Sequence, residues 1–302
     1  MDPLNLNQIM LAEGVATAHF KMAPAPAPQE KGIRMTISTL SCGTLLAAMR
    51  RANPLVQCIT NDVAMNIAAN VLLAAGASPA MVSAEEEAGE FARIAGAVTI
   101  NIGTLWSGGV AGMLAAVNAA NDAGKPWVLD PVAHYATGFR RRVVGELMAL
   151  KPTILRGNAS EIMALAGETT RGQGVDSGDS ATAARNAALT LARRHGCVVA
   201  VTGDVDFVTD GNRSAFIEGG SPMMPKVTAL GCALTCLVGA FAASTPEQPF
   251  EATIAALTLF AVSGEDAGGQ ARGPGSFQPL FLDALSALGS GRFDAEARIT
   301  ML

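Results

Sequence analysis

Ala97-Val98-Thr99-Ile100-Asn101-Ile102, closed by Gly103, is a strand-length run that does not alternate between apolar and polar residues. A strand with one wet face alternates; a run that is apolar nearly throughout reads as a strand covered on both faces. Working outward, the same grammar repeats. Further strands are expected at Leu55–Ile59, near Pro79–Val82, and at Pro126–Leu129, Thr153–Leu155 and Cys197–Val201. Helical segments are expected between them, over about 38–52, from Asn61 or Asp62 to Ala75 with Gly76 as the stop, from the acidic turn Glu85-Glu86-Glu87, and over 107–123, 139–150, 158–166 and 179–195. A polar loop is expected at 168–178. Residues 205–209 and 213–218 read as a hairpin turning at Asp210-Gly211, and the remainder as mainly helical, at 231–243, 250–268 and 277–288. Apolar strands alternating with helices imply an α/β fold with a mostly parallel central sheet between two helical layers.

The 302 residues are half hydrophobic and 16% charged, with a net charge of −5, which supports a large core and disfavours nucleic acid as a partner. Arg140-Arg141-Arg142 is the longest basic run and reads as a solvated helix face. The five cysteines, Cys42, Cys58, Cys197, Cys232 and Cys236, form no C-x-x-C pair, so neither a disulfide framework nor a zinc site is indicated and a reducing cytoplasm fits. Apolar stretches are too short or too interrupted to span a bilayer, and no signal peptide is expected. Residues 1–34, with the Ala/Pro run at 23–31, are expected to be a disordered extension, Met35 being a possible start, ahead of one folded domain over 35–302.

In a parallel sheet, ligands bind beyond the C-terminal ends of the strands. Asn61 there could bind a ligand hydroxyl or cap a helix, and Asp130 could reach a metal-bound phosphate or cap a turn. Arg156 offers a fork of donors for phosphate oxygens. Glu161 falls in the first turn of a helix and could hold Mg²⁺ through water, or form a cap with Asn158 and Ser160. Thr202-Gly203-Asp204 offers a hydroxyl and a flexible residue to a nucleotide. Thr228-Ala229-Leu230-Gly231-Cys232 then feeds an apolar helix whose first turn holds Cys232. Free N–H groups there suit a phosphate and would lower a thiol's pKa, although Cys232 could equally be one more small buried residue. Two carboxylates, an arginine and a helix N-terminus are the parts of phosphoryl transfer. Neither G-x-x-x-x-G-K-[ST] nor G-x-G-x-x-G is present, which excludes a P-loop kinase and an ordinary dinucleotide enzyme.

Several stretches now fit one pattern: Gln57-Cys58-Ile59-Thr60-Asn61, Asn66 to Met81, Ala84-Glu85-Glu86-Glu87, Ile100 to Leu105, Leu129-Asp130-Pro131-Val132, Arg156-Gly157-Asn158-Ala159-Ser160-Glu161, Gly174-Val175-Asp176-Ser177, Val201-Thr202-Gly203, Lys226-Val227-Thr228 and Gly231-Cys232. In order over roughly 38–245, they resemble the hydroxyethylthiazole kinases of thiamine biosynthesis, members of the ribokinase-like superfamily. The resemblance implies a three-layer ribokinase-like fold and a transferase that phosphorylates 4-methyl-5-(2-hydroxyethyl)thiazole with ATP and Mg²⁺. It implies Cys232 as the catalytic residue, Met81 and Ala229 at substrate-binding positions, Arg156 and Thr202 at ATP-binding positions, and Asp130 and Glu161 as acidic residues near Mg²⁺. It also implies a homotrimer with its thiazole pockets between subunits. Three positions depart from the family's usual pattern: Gln57 for a histidine, Ala133-His134-Tyr135 for a glycine-rich run, and Ala229-Leu230 for the first two residues of a Gly-Thr-Gly-Cys turn. Rival readings are a kinase for a hydroxymethylpyrimidine or pyridoxal-like alcohol, a non-catalytic thiazole binder, and a cysteine hydrolase pairing Cys232 with His134 or His195.

Overall fold

The computed structural model of the protein describes residues 41–167 and 177–302. The Ala/Pro extension, Met35, and residues 168–176 of the polar loop expected over 168–178, with Gly174-Val175-Asp176, lie outside the described residues; residues 177 and 178 already belong to a helix. The chain runs α1 (Cys42–Ala52), β1 (Leu55–Ile59), α2 (Met65–Ala75), β2 (Ser78–Ala80), α3 (Glu85–Ile94), β3 (Ala97–Asn101), α4 (Ser107–Asp122) and β4 (Trp127–Asp130). It continues with α5 (Gly138–Ala149), β5 (Ile154–Asn158), α6 (Ala159–Ala166), α7 (Ser177–His195), β6 (Val198–Thr202), β7 (Val205–Thr209) and β8 (Ser214–Glu218). It closes with α8 (Leu230–Ser244), α9 (Pro249–Gln270), α10 (Pro274–Ala287), α11 (Ser290–Glu296) and β9 (Arg298–Met301).

The strands form one sheet in the order β2-β1-β3-β4-β5-β6-β7-β8-β9. β2 to β6 are parallel, and β7, β8 and β9 are added antiparallel. Because successive side chains point to opposite faces, each apolar strand feeds two cores. Val56, Val128, Val198 and Ala200 pack with α1, α2 and α8 to α11. Val98, Ile100, Trp127, Leu129 and Val199 pack with α3 to α7. This is the α/β layering that the apolar run at 97–102 implied.

Three boundaries differ from expectation in ways that matter. β5 runs on through Arg156, Gly157 and Asn158, which pair with Ala200, Val201 and Thr202 of β6. Ladder pairing overrides the low strand propensity of this polar stretch. Arg156 and Thr202 therefore stand on the pleat itself rather than on loops after it. α2 begins only at Met65, because residues 61–64 form a turn in which the Ala64 N–H reaches both the main-chain and the side-chain oxygen of Asn61. After residue 288 the chain is not simply helical: β9 closes the sheet edge beside β8.

α8 positions the site. It is almost wholly buried and lies flat on the sheet. A Cβ at Gly239 would stand 2.5 Å from Thr99 Cγ2, so glycine is what lets the helix approach β3 so closely. Cys236 reaches Thr99 in the middle of β3, whereas Thr235 reaches Asp130 at the end of β4. The helix thus runs against the strand direction, and its N-terminus lies at the C-terminal edge of the sheet.

Candidate active site

Asp130 ends β4, is 1% exposed, and is the hub of the edge. Its Oδ2 accepts from Asn101 Nδ2 at 2.8 Å and from Thr235 Oγ1 at 2.8 Å, and stands 3.5 Å from Arg156 Nη1. Its Oδ1 is buried with no hydrogen-bond partner. Burial pushes the carboxyl up to about 6, the Arg156 charge pulls it down, and the Glu161 charge pushes it up again.

Arg156 faces the same way. Its Nη2 donates to Thr202 Oγ1 at 2.6 Å. A Cβ added at Gly231 would lie 3.2 Å from both terminal guanidinium nitrogens, so Gly231 brings the first turn of α8 down onto the arginine. Among the described residues the N–H groups of Leu230, Gly231 and Cys232 have no partner, the usual state of a helix start that awaits an anion.

Cys232 sits in that first turn, as its sequence position implied, and its Sγ accepts from Asn61 Nδ2 at 3.2 Å. The same Nδ2 donates to Asn101 Oδ1, which links the thiol to Asp130 through two amides. The expected low thiol pKa is overturned. Burial, and then the nearby Asp130 charge, push Cys232 up to about 11, outweighing Arg156 and the Asn61 hydrogen bond. A pKa that high keeps Cys232 a thiol at neutral pH.

Glu161 is the N3 residue of a capping box on α6. Its Oε2 accepts from the Asn158 N–H and its Oε1 from the Ala133 N–H, each at 2.9 Å. Of its two expected roles the structure shows the cap, and Glu161 also lies close enough to bear on the Asp130 charge. Ala133 and Ala229 both adopt the left-handed conformation, with φ of 46° and 60°. Alanine there costs on the order of 1–2 kcal/mol. These are the two turns in which the sequence analysis places alanine where the family's usual pattern has glycine, the residue that adopts this conformation without that cost.

Met81 follows β2, three strands from Asp130, and is partly buried against the core. It takes no part in the hydrogen bonds that join the other site residues. Gln57, fully buried on β1, donates to Val82 O and Ala88 O and so pins the segment that carries Met81.

Beside Arg156, on the α8–α9 side, a cavity of about 420 Å³ is lined by Thr202, Ala229, Gly231 and Asp206, and by apolar residues including Leu257 and Phe260. Sequence reasoning missed Asn101, Thr235 and Asp206. Asn101 is a polar residue closing an apolar strand, and Thr235 lies one turn after Gly231 on the same helix face. Those two signals could have been read; Asp206 gave none, because a hairpin strand tolerates a polar residue anywhere on its wet face. Among the described residues no group of three or more His, Cys, Asp or Glu is arranged to hold a metal ion directly. The orphaned Asp130 Oδ1 and the neighbouring Glu161 instead suit a hydrated divalent cation.

The sequence model of the hydroxyethylthiazole kinase family matches residues 46–290. A hydroxyethylthiazole kinase of Rhizobium rhizogenes is 68% identical over 264 residues, covering 87% of this chain and 98% of that protein. One from Cereibacter sphaeroides is 62% identical over 258 residues, covering 85% and 98%. The solved structure of a hydroxyethylthiazole kinase from Pyrococcus horikoshii OT3 superposes with a TM-score of 0.80 at 41% identity, covering 86% of this chain and 98% of the other. A Staphylococcus aureus pyridoxal kinase in complex with AMP-PCP and pyridoxal matches in fold alone, with a TM-score of 0.53 at 14% identity, covering 70% and 87%.

Proposed function

The chain belongs to the hydroxyethylthiazole kinase family, and from that premise we propose that it transfers the terminal phosphoryl group of ATP to the hydroxyl of 4-methyl-5-(2-hydroxyethyl)thiazole, a step of thiamine biosynthesis or salvage. The observation that carries this reading is the pairing of buried Asp130 with Arg156 beneath the open first turn of α8, with Cys232 in that same turn. Arg156 and Thr202 hold ATP phosphates, and the N–H groups from Leu230 to Cys232 receive the moving phosphoryl group. Asp130, with Glu161 behind it, would hold Mg²⁺ through water. When bound, the cation supplies neutralisation of the triphosphate. The transition state is loose, so positioning carries most of the rate.

Cys232 is the group that handles the alcohol proton. Burial and then the Asp130 charge hold it as a thiol, while Arg156 and the Asn61 hydrogen bond favour the thiolate, the form that can accept that proton. Met81 and Ala229 contact the thiazole alcohol. A homotrimer with pockets between copies is supported by exposed apolar residues on the loops after β1, β3 and β4: Val63 at 58%, Trp106 at 67% and Tyr135 at 42%. Five free cysteines and the need for ATP fit the cytoplasm, and no described helix is long and apolar enough to cross a membrane.

The test is ADP release with Mg-ATP and the thiazole alcohol, run beside hydroxymethylpyrimidine and pyridoxal. Turnover with thiazole well above the other two is expected. Equal or greater turnover with either rival, or none with any, would overturn the assignment. Ester hydrolysis without nucleotide would instead support a Cys232 hydrolase.

A further inference from the structure

The cavity beside Arg156 has a mixed lining. Arg156, Gly231 and the start of α8 bring charge and donors, and Met224, Leu257 and Phe260 bring apolar surface. A nucleotide calls for both, donors for its phosphates and apolar surface for its flat base, with a neutral sugar between. Asp206 is the acidic residue lining this cavity. Its placement follows from the ladder. Val201 of β6 pairs with Phe207 of β7, and continuing that register by one residue sets Asp206 opposite Thr202. Thr202 is in turn paired with Asn158, two residues along β5 from Arg156. Arg156, Thr202 and Asp206 therefore share one face on three adjacent strands.

Asp206 Oδ1 accepts from the Gly203 N–H at 2.9 Å; among the described residues its Oδ2 has no hydrogen-bond partner. A carboxylate is a poor neighbour for a phosphate and a good one for hydroxyl donors. Charge-assisted hydrogen bonds from hydroxyls to carboxylates are among the stronger ones available. A vicinal diol, as on the sugar between a nucleotide's phosphates and its base, offers two such donors.

Resting on the kinase reading above, we propose that Asp206 is the sugar-selecting residue of the nucleotide site, its free carboxylate oxygen accepting a hydrogen bond from the ribose diol. Burial pushes this carboxyl up to about 7, against the Gly203 N–H and the Arg156 charge, which pull it down.

Calorimetric titration of the full chain with Mg-ATP and with its 2′,3′-dideoxy analogue tests this, in the wild type, Asp206→Asn and Asp206→Ala. Asparagine keeps an acceptor for the Gly203 N–H, so the turn survives. The wild type is expected to prefer the ribonucleotide by about tenfold or more. That preference falls in the asparagine variant and approaches one in the alanine variant, with dideoxynucleotide affinity held within about twofold. An unchanged preference in both variants, equal affinities in the wild type, or a parallel loss of both affinities would overturn the proposal while leaving the kinase reading in place. Absence of any nucleotide binding by the wild type would overturn both.

Discussion

Two turns flank the candidate site, and each is built on an alanine in the left-handed region, Ala133 after β4 and Ala229 before α8. They resolve the strain in opposite ways. At Ala133 the N–H is taken by Glu161 Oε1, and the following residues wind into a short 3-10 helix. That turn is closed: a buried carboxylate already occupies its donor. At Ala229 the chain enters α8 directly, and the N–H groups that follow have no partner among the described residues. That turn is open, above Arg156 and Asp130. The same backbone conformation thus comes with a satisfied donor at one turn and with unpartnered donors, which suit an anion, at the other.

The comparison can be broken most decisively at the open turn. Cys232→Ala is expected to lower kcat on the order of 10²–10⁴-fold, whereas Cys232→Asp, which restores a proton acceptor, should retain measurable turnover in the same ADP assay. Full activity in the alanine variant would remove Cys232 from the chemistry and leave the open turn with a binding role only.

A pH series comes next. The folded Asp130 carboxyl titrates near 6, above the ordinary value of about 4. The folded protein therefore holds an extra proton between about pH 4 and 6, and this contribution to stability is lost as pH rises through that window. Activity should move the other way. kcat/KM for Mg-ATP should fall as pH drops below about 6, where Asp130 gains its proton and can no longer serve a cation. A profile flat from pH 5 to 8 would contradict this.

At the closed turn the effect should be on stability first. Glu161→Gln weakens two charge-assisted bonds to backbone N–H groups and is expected to cost about 1–3 kcal/mol in denaturant unfolding. The smallest effect sharpens the symmetry itself. Ala133→Gly and Ala229→Gly each relieve left-handed strain but loosen the unfolded chain, so each should change stability by no more than about 1 kcal/mol, in the stabilising direction. Ala133→Gly should also soften the cost of Glu161→Gln when the two are combined, because the strained residue held by Glu161 is then gone. Strict additivity in that cycle would show that the closed turn does not depend on the carboxylate.

Much of the site was legible because its residues close strands or open helices. Asp130, Glu161 and Cys232 stand where a βα unit must present them, and Asn158 with Glu161 spells out a capping box by residue type and spacing alone. What was not legible depends on neighbours distant in the chain. The side-chain direction of Arg156 follows from β5 continuing its ladder with β6, which the polar residues of that stretch conceal. The protonated state of Cys232 depends on Asp130, 102 positions earlier in the chain, and on burial that no local rule supplies. Asp206 gained meaning only when the β6–β7 register set it on the face of Thr202.

The apolar runs of this sequence, read with their period, were enough to determine a parallel sheet between two helical layers and the edge at which chemistry would gather, since burying a strand on both faces leaves few other solutions. Local chemistry determined the capping box of α6 and the family. The tertiary structure decided how much charge each group carries and which turn stays open, because both depend on which partner reaches a buried donor or acceptor first. For Ala133 that partner is Glu161; for the start of α8 there is none among the described residues.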